Sequence, residues 1–164
     1  MMTRVFAYAA AALLALAGPL SADSIPAPTG DVILTVTGVE NEPVQFDRES
    51  LSSLGLETVE TMTIWTEDTQ SFEGVSLKSI TDALGVESGT LLATAINDYT
   101  VEIPVADAVE NGPIIALTLN GENMSIRDKG PLWVIYPYDS SAEYRTEVIY
   151  SRSIWQLDRI EVVD

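Results

Sequence analysis

The residues with chemistry to offer gather in a few short stretches. Asn97-Asp98-Tyr99 sets an amide, a carboxylate and a phenol side by side. A carboxylate beside an aromatic ring suits a flat heterocycle with two adjacent N–H donors, because its two oxygens accept both at once. Asn and Asp are also common turn formers, so the same residues read equally as a hairpin tip. Arg127-Asp128-Lys129-Gly130-Pro131 brings two cations together just ahead of Trp133, in a chain with only eight Lys and Arg. It reads as a solvated turn whose ion pairs carry little energy, or as a handle for an anionic or carbonyl-rich ligand. Arg152-Ser-Ile-Trp-Gln-Leu157 adds a cation, a tryptophan and an amide, and an Arg152 paired with a nearby acid explains it as well as ligand contact does. Core burial is the ordinary explanation for Trp65, Trp133 and Trp155. Trp65 is followed by the polar run Thr66-Glu-Asp-Thr69, which makes it a natural stacking platform at a strand end.

The 164 residues include no cysteine and no histidine. Disulfides, thiolate chemistry and a Ser-His-Asp triad are therefore excluded by residue type, and structural zinc with them. What remains is carboxylate acid–base work, a Ser-Lys device, or binding without reaction. Ser76 and Lys78 stand two apart on a helix, where side chains do not face each other. Twenty-five acids single out no catalytic pair. The net charge of −17 argues against nucleic acid and anionic lipid as partners, and it also suits solubility in salty surroundings.

The elements that must position these residues begin after a leader. Arg4, the apolar run Val5–Gly18 and the small residues ending at Ala22 form the three parts of a secretory signal peptide, 1–22. The apolar run is shorter than the ~20 residues a bilayer span needs. Removing it leaves an exported chain one unit more negative, with no segment expected to insert in a membrane. Residues 23–30 read as a flexible lead, and 31–164 as a single domain large enough for its own core.

Within that domain, Asp31–Val39 reads as a strand. Asp47 caps a short helix over 47–54 ended by Gly55, and Thr58–Thr66 reads as a second strand. Leu77, Ile80 and Leu84 mark one apolar face of a helix stopped by Gly85. Leu91–Ile96 and Thr100–Ile103 flank the Asn97-Asp98-Tyr99 turn, and a short helix follows at Val105–Glu110. Ile114–Leu119 enters a hairpin at Asn120-Gly121, because a type I′ turn wants positive φ at both positions. Leu132–Tyr136, Glu147–Tyr150 and Ile160–Val163 complete the strands. The expectation is an α+β fold, a β-rich mixed or barrel-like core with about three short helices.

Four segments in this order carry a resemblance: Phe72-Glu-Gly-Val-Ser-Leu-Lys-Ser-Ile with Leu84; Ala95-Ile-Asn-Asp-Tyr-Thr-Val-Glu-Ile-Pro104; Ile115-Ala-Leu with Asn120-Gly121; and Arg127-Asp-Lys-Gly-Pro-Leu-Trp-Val-Ile-Tyr-Pro137. Together they resemble the molybdopterin-binding domain of the sulfite-oxidase family. In that family a cysteine between the second strand and the helix start holds molybdenum, and the matching segment here, Trp65–Phe72, has none. The soft metal–sulfur bond lacks its donor, so the resemblance does not bring oxidoreductase activity or molybdenum with it. The chain is more similar to small exported, cysteine-less relatives, periplasmic pterin-binding proteins of the PruR type. That resemblance implies a reduced pterin as ligand and, as partner, the periplasmic part of a membrane regulator of cyclic-di-GMP turnover. It implies Asp98 as the grip on the pterin, expected to cost tenfold or more in affinity when replaced by Ala. Tyr99 and Trp65 would stack on the ring and Asn97 would stand beside Asp98, with Arg127 and Lys129 at the carbonyl edge or tail, Trp133 as a wall and Arg152 as a further contact. An interaction scaffold with a decayed pocket and a molybdopterin-dependent oxidoreductase subunit are the alternatives.

Overall fold

The first and last strands of the fold lie side by side at the heart of one sheet. The computed structural model describes residues 25–39 and 42–164. Residues 1–22, read as a signal peptide, lie outside the described residues. Strand β1 (Leu34–Thr37) pairs in parallel with β10 (Leu157–Val163). The sheet runs β2-β1-β10-β5-β6, where β2 is Val44–Phe46, β5 Thr90–Ala95 and β6 Thr100–Pro104, and its other pairings are antiparallel. The second sheet holds β3 (Leu56–Thr61), β4 (Gln70–Ser76) and β7 (Ile114–Leu119). Beyond β7, the short β8 (Glu122–Asn123) and β9 (Trp133–Ile135) each pair with part of its length. Both sheets are open, so the α+β core is β-rich but does not close into a barrel.

Among the described residues, three short α-helices accompany the sheets: α1 (Arg48–Ser52), α2 (Leu77–Ala83) and α3 (Glu147–Arg152). Asp47 caps α1 as expected, in a reciprocal capping box with Ser50. Its Oδ2 also accepts from the N–H groups of Thr29 (2.7 Å) and Gly30 (2.8 Å), which ties the end of the lead to the domain. Backbone N–H groups of Ser50 and Gly30, with the Ser50 hydroxyl and Thr29 N–H, hold the Asp47 carboxyl well below the usual carboxylate range. Ser76 caps α2 and Lys78 pairs with Asp82 at 2.5 Å, so serine and lysine have separate structural partners and form no Ser-Lys device.

Several expected elements take other forms. The strand expected over Thr58–Thr66 ends at Thr61, and Trp65 sits on a turn. Val105–Glu110 contracts to a 3-10 turn at Val105–Asp107. Glu147–Tyr150, expected as a strand from Val148 and Ile149, is instead the start of α3, because Thr146 accepts from the Ile149 N–H and opens a helix. Phe72–Val75 lies within β4, and neither that strand nor β2 and β8 were anticipated.

Gly74 explains how β4 meets β7. A Cβ there would lie 2.0 Å from the Ile115 carbonyl oxygen, at the one point where the β4–β7 register shifts. Only glycine lets the two backbones approach so closely. The core between the layers includes Phe46, Leu51, Phe72, Leu132, Trp133, Tyr136 and Leu157, all fully buried.

Candidate functional site: an aromatic cleft between the sheets

Three segments converge where the two sheets meet. The turn after β3 contributes Trp65, the β5–β6 hairpin contributes Ala95, Asn97 and Tyr99, and α3 with the chain after it contributes Tyr150, Ser151 and Ser153–Gln156. Together they line a cleft of about 290 Å³. Its aromatic lining is Trp65, Tyr99, Tyr150 and Trp155.

Trp65 is the hub of this lining. Its ring meets those of Trp155 (5.6 Å), Tyr150 (5.9 Å) and Trp133 (5.9 Å) edge to face. Such pairs are worth about 0.5–1.5 kcal/mol each beyond the area they bury, so Trp65 is locked by its neighbours. Thr63 and Thr66 hydroxyls lie 2.8 Å apart beneath the same turn, and the Trp65 N–H donates to Thr63 Oγ1. Trp133 forms no open wall. It is fully buried, donates from Nε1 to the Ser153 carbonyl at 3.2 Å, and supports Trp65 and Trp155 from behind.

The junction is held by backbone bonds. Ile96 N–H donates to the Gln156 carbonyl (2.9 Å), and Gln156 N–H donates to the Lys129 carbonyl (3.0 Å). Lys129 and Gln156 both adopt left-handed backbone, with φ of 71° and 53°. Lys129 Nζ stands 5.2 Å from the Trp155 ring centre and 5.6 Å from that of Trp133. This placement sets a positive charge against the aromatic lining. Arg127 lies exposed on the 3-10 turn Ile126–Asp128 and does not line the cleft.

Asp98 occupies the hairpin tip at φ 67°, accepting an ion pair from Arg159, and its side chain is 84% exposed. Its neighbours Asn97 and Tyr99 line the cleft, whereas Asp98 does not. Arg152 points away to Asp107 Oδ2 (2.9 Å), which also accepts the Tyr136 hydroxyl at 2.7 Å. Burial, helped by that carboxylate, pushes the Tyr136 phenol far above its ordinary value. Tyr138 donates to Ser153 Oγ at 2.6 Å, and burial pushes its phenol up to about 12.

The structure thus brings Trp65, Asn97 and Tyr99 together, sets Lys129 and Trp133 against their lining, and leaves Asp98, Arg127 and Arg152 outside. Tyr150, Trp155 and Gln156 are lining residues that sequence reasoning missed. Trp155 and Gln156 stood inside a stretch already singled out, but Arg152 drew attention because of its charge. Tyr150 was hidden by its assignment to a strand.

The domain is thus an open α+β fold with a ring-lined cleft at the junction of its sheets. The family profile described as oxidoreductase molybdopterin binding domain matches residues 28–162, and the chain belongs to that family. The crystal structure of the sulfane dehydrogenase SoxCD from Paracoccus pantotrophus shares the fold, with a TM-score of 0.60 and 16% identity. The match covers 80% of this chain and 38% of that one, so this chain spans well under half of its length. No curated protein matches the chain.

The donor set separates the two halves of the group that the family description names. A flat pterin ring finds aromatic faces and amides in the cleft. A metal ion finds no thiolate or imidazole anywhere in the chain, and no cluster of three potential ligands among the described residues. The side chains of the cleft offer ring faces and amides, and no cysteine is present to supply the thiolate that holds molybdenum in the sulfite-oxidase family.

Proposed function

We propose that this chain is an exported binding protein that holds a reduced pterin in the aromatic cleft and reports its occupancy to the periplasmic part of a membrane regulator of cyclic-di-GMP turnover. The convergence of Trp65, Tyr99, Tyr150 and Trp155 on one cleft carries this reading. Planar ligands take their affinity from such faces and their orientation from a few polar groups. Family membership supports a pterin over other flat heterocycles. Export rests on the three-part pattern of Met1–Ala22. Ile64 and Ile96, 60% and 41% exposed, directly precede the lining residues Trp65 and Asn97, and they support a partner surface beside the ligand.

The test is anaerobic purification from the periplasmic fraction, with release and oxidation of bound small molecules, pterin fluorescence and metal analysis. Pterin near one per chain without molybdenum is the expected result. Absence of pterin, even after reduced pterins are offered, would leave an interaction scaffold. The family's description favours a second reading, a molybdopterin-carrying oxidoreductase subunit, and stoichiometric molybdenum would establish it in place of ours.

A further inference from the structure

Asp98 is engaged outside the cleft by Arg159, and the polar side chains that line the cleft are neutral. Two of them are amides whose orientation is set by their own bonds. Gln156 Nε2 donates to the Ile126 carbonyl at 2.6 Å, so the amide's unbonded polar atom is the acceptor Oε1. Asn97 Oδ1 accepts from the Tyr99 N–H at 3.3 Å, which leaves the donor Nδ2. The backbone bond from Ile96 to Gln156 fastens the two residues' segments together. Both line the ring-walled cleft. Gln156 also holds its place in left-handed backbone, which glycine adopts with less strain. Its two main-chain bonds need no side chain, so the fold could keep them with glycine.

We infer that Gln156 Oε1 and Asn97 Nδ2 form a neutral acceptor–donor pair that reads a lactam edge, an N–H beside a C=O, on a flat heterocycle. This rests on the pterin reading and refines it: the ring is selected through its lactam by two amides rather than through an amidine-like edge by a carboxylate. An analogue with an amino group in place of the carbonyl, and a bare ring nitrogen in place of the N–H, offers donor to donor and acceptor to acceptor. Sites built around such a pair reject the mismatched analogue strongly.

The experiment titrates the full chain anaerobically with tetrahydrobiopterin and with its amino analogue, in which the amino group replaces the lactam carbonyl, following tryptophan fluorescence. Wild type is expected to favour tetrahydrobiopterin by about tenfold or more. Gln156→Gly should reduce that preference below about threefold with no loss of melting temperature. Asn97→Ala, at an exposed hairpin position, provides the same readout should Gln156→Gly fold poorly. Equal affinities in wild type, or a preference that survives both substitutions, would overturn the amide pair while leaving pterin binding intact. Failure of both compounds to bind would overturn the pterin reading and the pair together.

Discussion

Trp65 and Trp155 meet edge to face with ring centres 5.6 Å apart and planes at 77°, although ninety residues separate them in the chain. Each ring therefore holds the other upright along the cleft. Trp155→Ala is expected to weaken binding of a reduced pterin by about tenfold or more, since stacking on an aromatic is worth ~1–3 kcal/mol per base-like ring. Calorimetric titration checks this, and a loss below twofold would remove Trp155 from the ligand's contacts.

Asp98→Ala is expected to change pterin affinity by less than about threefold and thermal stability only slightly, because an exposed ion pair contributes little. The sequence led to the opposite expectation. In the chain, Asp98 is indistinguishable from a ligand-facing carboxylate, and the left-handed turn that aims it toward Arg159 emerges only once β5 and β10 pair.

Other features show the same division between local and long-range information. Asn120 and Gly121 both take positive φ, as their types demand, and Asp47 caps α1. These are local preferences, readable one turn at a time. Helix α3 is too short for periodicity to reveal, and its β-branched Val148 and Ile149 favour a strand until the Thr146 cap and packing decide otherwise. The cleft joins residues near 65, 97 and 155, and no local pattern announces that meeting.

Gly74→Ala should destabilise the domain severely, with an added Cβ 2.0 Å from the Ile115 carbonyl oxygen. Backbone on both sides leaves nothing flexible to yield, so loss of about 3 kcal/mol or more is expected from chemical denaturation. Gly85→Ala, with open space around its Cβ, is the control: it should show only the strain of a positive φ.

Stability should fall at both ends of the pH scale. Asp47 is held below its ordinary value, so its contribution is complete above about pH 4 and is lost as acid protonates it. Asp47→Asn should flatten the acid limb of the urea-midpoint profile. Tyr138, raised to about 12, contributes fully below about pH 10 and loses that contribution as pH climbs toward its folded value. Tyr138→Phe should flatten the alkaline limb, and tyrosinate absorbance should rise together with unfolding. A profile unchanged in either variant would assign that limb to other groups.

Tyr136→Phe removes one of the two donors to Asp107 Oδ2 while leaving the packing of the ring. A cost of about 1–3 kcal/mol is expected, as for a hydrogen bond to a charged acceptor. Pterin affinity should be unchanged, because neither residue lines the cleft.

The parallel pairing of β1 with β10 also sets the order of events during biosynthesis. β1 leaves the ribosome more than a hundred residues before its central neighbour exists, and β5 must likewise wait for β10. Until then β1 has only the short β2 to pair with, and the β5–β6 hairpin stands apart from it. That sheet is therefore completed only after nearly all of the domain has been made, whereas the pairings of the second sheet need nothing beyond β9.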